Sequence, residues 1–485
     1  MRKELAFLFV GWAVSTGCTS ALERSGFGDY ETAKRERREL RRKVEARGGE
    51  GAGGRRGRDG LSGLDGSSTV DDYLAYAALR NPALEAAFRR WKGALERIPQ
   101  ARSIPDPVFS YTYYIQHVET RVGPQRHRFT LSQRIPFFTK LTTKADAAGY
   151  GAIAARRRFE ALKLNLFFKV KKALYEYAFL KRRLDITDAH LQIVTNMERL
   201  ARRLYSVNRV AHSAVIKAQV EMGRLENDVE SLRRLRRPVA AELDALLDRR
   251  AGEPLEWPQR LHTPAVDLSL DELRESLVAR NPEVKHAESR VRQRTELESN
   301  ARQQLWPDLM IQIGVIETGR AVMPDVAGSG KDPVMATVAL TIPIWFGKHT
   351  AAIREAEAKR LAARSEKREK VNRLLAELTR AHFDYRDGRR RIQLYESTLV
   401  PKARQALQVV QQEMIAGEAS FLDVLDAERA LLRFQLELEK ARRDVRIAVA
   451  RLEMLSGRRL GEVTNAGPSR AGRGGDERKR DDGAR

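Results

Sequence analysis

From Met414 to Leu455 the chain reads as a helix whose apolar residues fall at Leu431, Phe434, Leu438, Ala441, Val445, Ala448, Leu452 and Leu455. Alternating steps of three and four make an unbroken heptad seam, which keeps one stripe of a long helix against its neighbours. Moving every position back by 431 − 222 = 209 residues gives Met222, Leu225, Val229, Leu232, Arg236, Val239, Leu243 and Leu246, so seven of eight stay apolar. The helix occurs twice.

The segments ahead of each copy are also paired. Thr69-Val70-Asp71-Asp72 and Ser269-Leu270-Asp271-Glu272 both read as helix caps, and each leads to Arg-Asn-Pro, at Asn81 and at Asn281. A helix of about 20 residues follows each Asn-Pro and stops before further prolines. Two runs of period-two alternation come next in each half. In the first half Phe109, Tyr111, Tyr113 and Ile115 alternate with Ser110, Thr112 and Tyr114, and Phe129 and Leu131 alternate with Arg128, Thr130 and Ser132. In the second half the apolar sets are Leu309, Ile311, Ile313 and Val315, then Val334, Ala336, Val338, Leu340 and Ile342. At roughly 8 to 10 residues each run suits a tilted membrane-spanning strand, although a half-buried hairpin of a soluble domain has the same pattern.

Both second runs end alike, in Ile135-Pro136-Phe137-Phe138 and Ile342-Pro343-Ile344-Trp345-Phe346. Proline stops the ladder there, and aromatics beside a strand end suit a membrane–water interface. From Lys140 and Lys348 onward the pattern is helical for about 60 residues, or about 90 Å, before the chain returns. Ala173 and Tyr177 match Ala381 and Tyr385 in these helices. The unit is short helix, strand, strand, long helix, long helix, present twice. Four strands cannot close a barrel in lipid, where every edge must be paired, so membrane-spanning strands here require a barrel shared between chains. Three copies supply 3 × 4 = 12 strands, and a trimeric tube is the economical closed form. Pro238 interrupts the first seam beside Arg236 and predicts a local bend or break.

Composition changes this picture little. The chain has 485 residues, 42% hydrophobic and 32% charged, with a formal net charge of +24. That charge raises nucleic acid as a partner. However, Lys and Arg alternate with Glu and Asp along the helices as on a solvated, salt-bridged surface, and no nucleic-acid-binding motif accompanies them; attraction to anionic lipid is equally compatible. Arg2 and Lys3 precede a short apolar run from Leu5 to Val14, which reads as an export signal. Ser15-Thr16-Gly17-Cys18 resembles the lipobox of bacterial lipoproteins, where the cysteine becomes the acylated N-terminus. Cys18 is the only cysteine, so there is no disulfide framework. The expected divisions are a signal over 1–18, a flexible linker over 19–68, repeats over 69–250 and 267–460 joined by a linker over 251–266, and a disordered tail over 461–485.

The eight histidines are scattered with no His-Glu-x-x-His, which argues for surface or barrel-rim positions and against a resident metal. The eight methionines do not cluster, and neither a Walker sequence nor a nucleophile elbow is present. No cofactor and no enzymatic activity are expected.

The duplicated halves, the Ile-Pro-aromatic strand ends and the helix returns together resemble the TolC-type outer-membrane efflux channel family over about Val70 to Gly457. The second return runs from Met414 through Gly417, Ser420 and Asp423 to Ala427-Glu428; the first runs from Tyr205 through Asn208 and Ser213 to Ala218-Gln219. Asn208 stands where the family pattern has glycine, and either residue tolerates left-handed backbone. The resemblance implies a mainly α fold with a membrane β-barrel portion: a homotrimer forming a 12-stranded barrel that continues into a 12-helix periplasmic tunnel. It implies a passive, gated conduit in the outer membrane of a Gram-negative-type cell, with a lipid-anchored N-terminus in many members. Its partners would be a periplasmic adaptor, an inner-membrane pump and outer-membrane lipid, not nucleic acid. The strand ends followed by Lys140 and by Gly347-Lys348 look most like the metal-efflux branch. Adaptor docking would fall on Val207, Asn208, Val210, Ala211, Ala416, Gly417, Ala419 and Ser420. Charges flanking the returns, Arg202, Arg203, Glu413 and Asp423, are gate candidates, with solvated helix charges as the plainer reading. The competing architecture is a periplasmic coiled-coil adaptor, which carries one helical hairpin rather than two.

Overall fold

The computed structural model describes residues 20–47, 64–250, 252–259, 261 and 269–460. It opens with a helix that the sequence did not predict. α1 spans Ala21–Arg47, inside the stretch read as a flexible linker. Its apolar residues are too sparse to make a stripe unaided, but Tyr30 stacks on Phe88 at 4.7 Å and meets Trp91 edge-on at 5.3 Å. Arg37 pairs with Glu85, and Arg156 with Asp29. The helix is therefore ordered by tertiary contacts that local periodicity cannot register.

Each repeat then begins as expected. α2 (Val70–Arg80) and α7 (Leu270–Arg280) carry complete capping boxes, from Thr69 with Asp72 and from Ser269 with Glu272. Asn81 and Asn281 cap the next helices, α3 (Pro82–Leu95) and α8 (Pro282–Gln303). Each also donates its side-chain amide to the end of a long helix, to the Leu246 carbonyl at 3.0 Å and the Leu455 carbonyl at 2.9 Å. The same hydrogen bond thus locks the same corner of both repeats. A short α4 (Arg97–Arg102) precedes the first strand.

β1 (Val108–Val118), β2 (Gln125–Ile135), β3 (Leu309–Thr318) and β4 (Val334–Leu340) form one antiparallel sheet in the order β1-β2-β3-β4. The two repeats therefore join through β2 and β3, and β1 and β4 are the edges. β4 stops two residues earlier than the alternation suggested: Thr341 N–H still bonds the Asp308 carbonyl at 2.9 Å in the same register, but Pro343, which has no N–H, follows.

The long helices follow the strands. α5 covers Phe138–Ser206, 69 residues or about 100 Å, and returns as α6 (His212–Leu247). In the second repeat α9 (Phe346–Leu394) passes through a π-helical turn at Tyr395–Leu399 into α10 (Val400–Ala416), and α11 (Phe421–Ser456) returns. Pro401 explains the wide turn: it offers no N–H and its ring would clash one turn back. α6 by contrast runs through Pro238 without a break, so only a bend remains open there.

All the seam residues of α11 are buried except the half-buried Phe434, and they pack against α5, α9 and α10. Gly388 of α9 permits one close approach, since a Cβ there would lie 2.6 Å from Val445 Cγ2. Gly388→Leu is expected to destabilise the wall by about 1–3 kcal/mol through overpacking, read as a lower melting temperature of the detergent-extracted protein. In the first seam Arg236 has a separate task. Its guanidinium donates to Tyr177 Oη at 3.1 Å and the Leu255 carbonyl at 2.8 Å, and lies 4.5 Å over the Trp257 ring. The apparent break in the heptad anchors part of the inter-repeat connection to the wall.

Candidate channel wall and helix tips

The register sorts the sheet into two faces. Phe109, Leu131, Ile313 and Ala336 lie side by side across the strands, as do Tyr111, Phe129, Val315 and Val334. These rows share the face of Ile311 and Val338, and most of these side chains are exposed in the single chain. The opposite face carries Ser110, Thr112, Arg128, Thr130, Ser132, Gln312 and Thr337, with Met310, Gly314, Met335 and Ala339 between them. A sheet with one apolar face, one face richer in polar residues and two open edges has the pattern of part of a membrane barrel. No described helix is long and apolar enough to cross a membrane.

Where sheet meets helices, a buried charge cluster holds the repeats together. Asp308, 6% exposed, sits just ahead of β3 and accepts from Lys140 Nζ at 2.7 Å, Arg134 Nη2 at 2.7 Å and Phe137 N–H at 3.3 Å. Burial alone would raise the Asp308 carboxyl, but the hydrogen bonds from Lys140, Arg134 and Phe137 outweigh it and hold the group below the usual carboxylate range. Phe137 stacks on Trp306 with ring centroids 5.1 Å apart beside this cluster. Sequence periodicity gave no hint of Asp308, because an acid after Pro307 looks like any turn residue.

At the far end the two returns place the expected docking residues together by type. Val207, Asn208, Val210 and Ala211 form the first turn; Ala416, Gly417, Ala419 and Ser420 form the second. Asn208 adopts φ 55° and Gly417 φ 88°, so the asparagine does replace glycine in left-handed backbone. Ser420 and Asp423 make a capping box, and the Ser420 hydroxyl and backbone N–H hold the Asp423 carboxyl below its usual range. Asp423 is thus already committed to a helix terminus. Arg202 is paired along its own helix with Glu198 at 2.6 Å, and Arg203 is exposed. Glu413 is half-buried, and its backbone carbonyl accepts from Glu418 N–H at 2.8 Å.

One histidine departs from the surface expectation. His190 is 2% exposed between α5 and α11, with Nδ1 2.6 Å from Glu428 Oε1 and Nε2 3.0 Å from Gln435 Oε1. Glu221 nearby joins α6 to α11 through Arg429 at 2.6 Å. The single sequence places these partners more than two hundred residues apart, so no local pattern could reveal them. Among the described residues no group of three or more His, Cys, Asp or Glu could hold a metal ion. Cys18 lies outside the described residues.

Residues 273–458 match the family described as outer membrane efflux protein. The cobalt-zinc-cadmium resistance protein CzcC of Cupriavidus metallidurans is 23% identical over 377 residues, covering 76% of this chain and 85% of that protein. Among solved structures, the outer membrane protein VceC of Vibrio cholerae superposes with a TM-score of 0.68 at 20% identity, covering 80% of this chain and 96% of its own. CusC superposes with a TM-score of 0.70 at 16% identity, covering 81% and 92%. The duplicated sheet-and-hairpin architecture is the fold of these outer-membrane channels, and its second repeat carries the match to the outer membrane efflux protein family.

Proposed function

We propose that three copies of the chain close a 12-stranded barrel over a 12-helix tunnel, forming the passive outer conduit of a tripartite efflux system. The observation that carries this reading is the sheet: one apolar face, one face richer in polar residues and two unpaired edges, which lipid does not tolerate unless further copies close the ring. An inner-membrane pump would drive transport, and a periplasmic adaptor would meet the helix returns. The similarity to CzcC, together with the Ile-Pro-aromatic strand ends, favours metal cations as the cargo. Arg202, Arg203 and Glu413 flank the proposed narrowing, and Asp423 acts there through its cap.

The N-terminus fits acylation at Cys18. Two residues, Thr19 and Ser20, separate it from Ala21, so three backbone steps give a reach of about 10 Å. α1 begins at the barrel end of the wall, where Glu23 pairs with Arg102 of α4 at 3.3 Å and Leu22 lies against Gly149. Gly149 is the twelfth residue of α5, about 17 Å along it. A lipid on Cys18 would therefore reach the inner leaflet beside the barrel.

Replacing Ser420 with tryptophan removes the cap, costing about 1 kcal/mol of local helix stability, and blocks the turn. Cross-linking to the adaptor is expected to fall sharply while the trimer persists on unheated gels. Unchanged cross-linking and unchanged cellular metal tolerance would count against the tip assignment.

A further inference from the structure

The internal duplication supplies a template for a contact that a single chain cannot make. At the seam inside the chain, β2 and the start of α5 present Phe137 and Lys140, and the segment before β3 receives them with Trp306 and Asp308. Lys140 pairs with Asp308 at 2.7 Å, and Phe137 stacks on Trp306. The same chemistry recurs at the outer edges. Lys348 is the third residue of α9, as Lys140 is of α5, and Trp345 precedes its helix as Phe137 does. Ile104-Pro105-Asp106 precedes β1 as Trp306-Pro307-Asp308 precedes β3. At the internal seam Lys140 is 8% exposed and Asp308 is 6% exposed. At the edges Lys348 and Asp106 are exposed, Trp345 is 73% exposed and Ile104 is 47% exposed.

We propose that Lys348 and Trp345 of one chain clasp Asp106 and Ile104 of the next copy, repeating at every subunit boundary the ion pair and apolar contact of the internal seam. The inference rests on the closed-ring reading above and goes further by naming the residues and the register. Aligning Ile135 with Ile342 shifts β2 onto β4 by 207; aligning Pro307 with Pro105 shifts β3 onto β1 by 202. The internal pairs Leu131–Ile313 and Gln133–Ile311 then become Val338–Tyr111 and Leu340–Phe109 across the boundary. All four transferred residues fall on the apolar face, which a one-residue slip would reverse. The β2-to-β4 alignment is anchored on an apolar-face isoleucine, but Pro307 and Pro105 carry no information about faces, so the placement of Phe109 and Tyr111 is an independent check. Arg134 maps to Thr341, which leaves the intersubunit clasp with one cation where the internal seam has two.

The test uses the full chain extracted from outer membrane in detergent. Native mass spectrometry gives the subunit count, and unheated gels give the dissociated fraction. Asp106→Lys and Lys348→Asp are each expected to raise that fraction about tenfold, and the double swap to return it to within about twofold of wild type. Single swaps without effect, or a double swap no better than the singles, would overturn the clasp. A wild-type chain found only as a monomer would overturn the ring reading beneath it. As a second readout, Trp345→p-benzoylphenylalanine should photo-cross-link to a peptide containing Ile104 of another chain. Cross-links confined to one chain would also overturn the clasp.

Discussion

Asp308→Ala is expected to weaken the junction between barrel and tunnel by about 3–5 kcal/mol, because it leaves the Lys140 ammonium buried without its counter-charge. Arg134 is largely exposed and can turn to solvent, but Lys140 cannot. The loss should be read as a lower melting temperature in detergent and a smaller assembled fraction in the membrane. Acid should mimic the substitution. The Asp308 carboxyl is held below its ordinary value of 3.8 in the folded chain, so its contribution is complete above about pH 4 and is lost as pH falls through the depressed folded value. In Asp308→Ala that part of the acid dependence should vanish.

The second large effect separates a lipid-facing sheet from a soluble one. Ile313 is exposed in the single chain, so on a soluble surface an arginine there would cost almost nothing. In the membrane reading Ile313→Arg places a charge against lipid and costs about 2–4 kcal/mol near the bilayer midplane. Gln312→Arg, one residue away on the polar face, should be tolerated and instead alter ion selectivity of the pore. Quantifying folded protein in the outer-membrane fraction distinguishes the two. Equal yields for both variants would argue that neither face meets lipid.

What could be read from sequence was whatever repeats locally. The heptad of α11, the capping boxes at Thr69 and Ser269 and the alternation of Phe109, Tyr111 and Tyr113 are properties of short windows, and all correspond to elements of the fold. What could not be read depends on distant partners. α1 is helical because Tyr30 meets Phe88 and Trp91, and its own sequence of charges and glycines gives no stripe. Arg236 looked like a defect until Tyr177, Leu255 and Trp257 surrounded it. His190 and Glu428 are 238 residues apart and meet only when two hairpins pack. At the candidate tips, the left-handed turns at Asn208 and Gly417 were legible because backbone conformation restricts residue type. The cap that Asp423 forms with Ser420 was not separable from a free flanking acid, because the two share the same letters.

The central claim is that this sheet spans the outer membrane as part of a closed ring, and extraction behaviour tests it most directly. Separated membranes should hold the full chain in the outer-membrane fraction, released only by detergent, with a native mass of three chains that falls to one on heating. A chain recovered as a monomer in aqueous periplasmic extract would contradict the account.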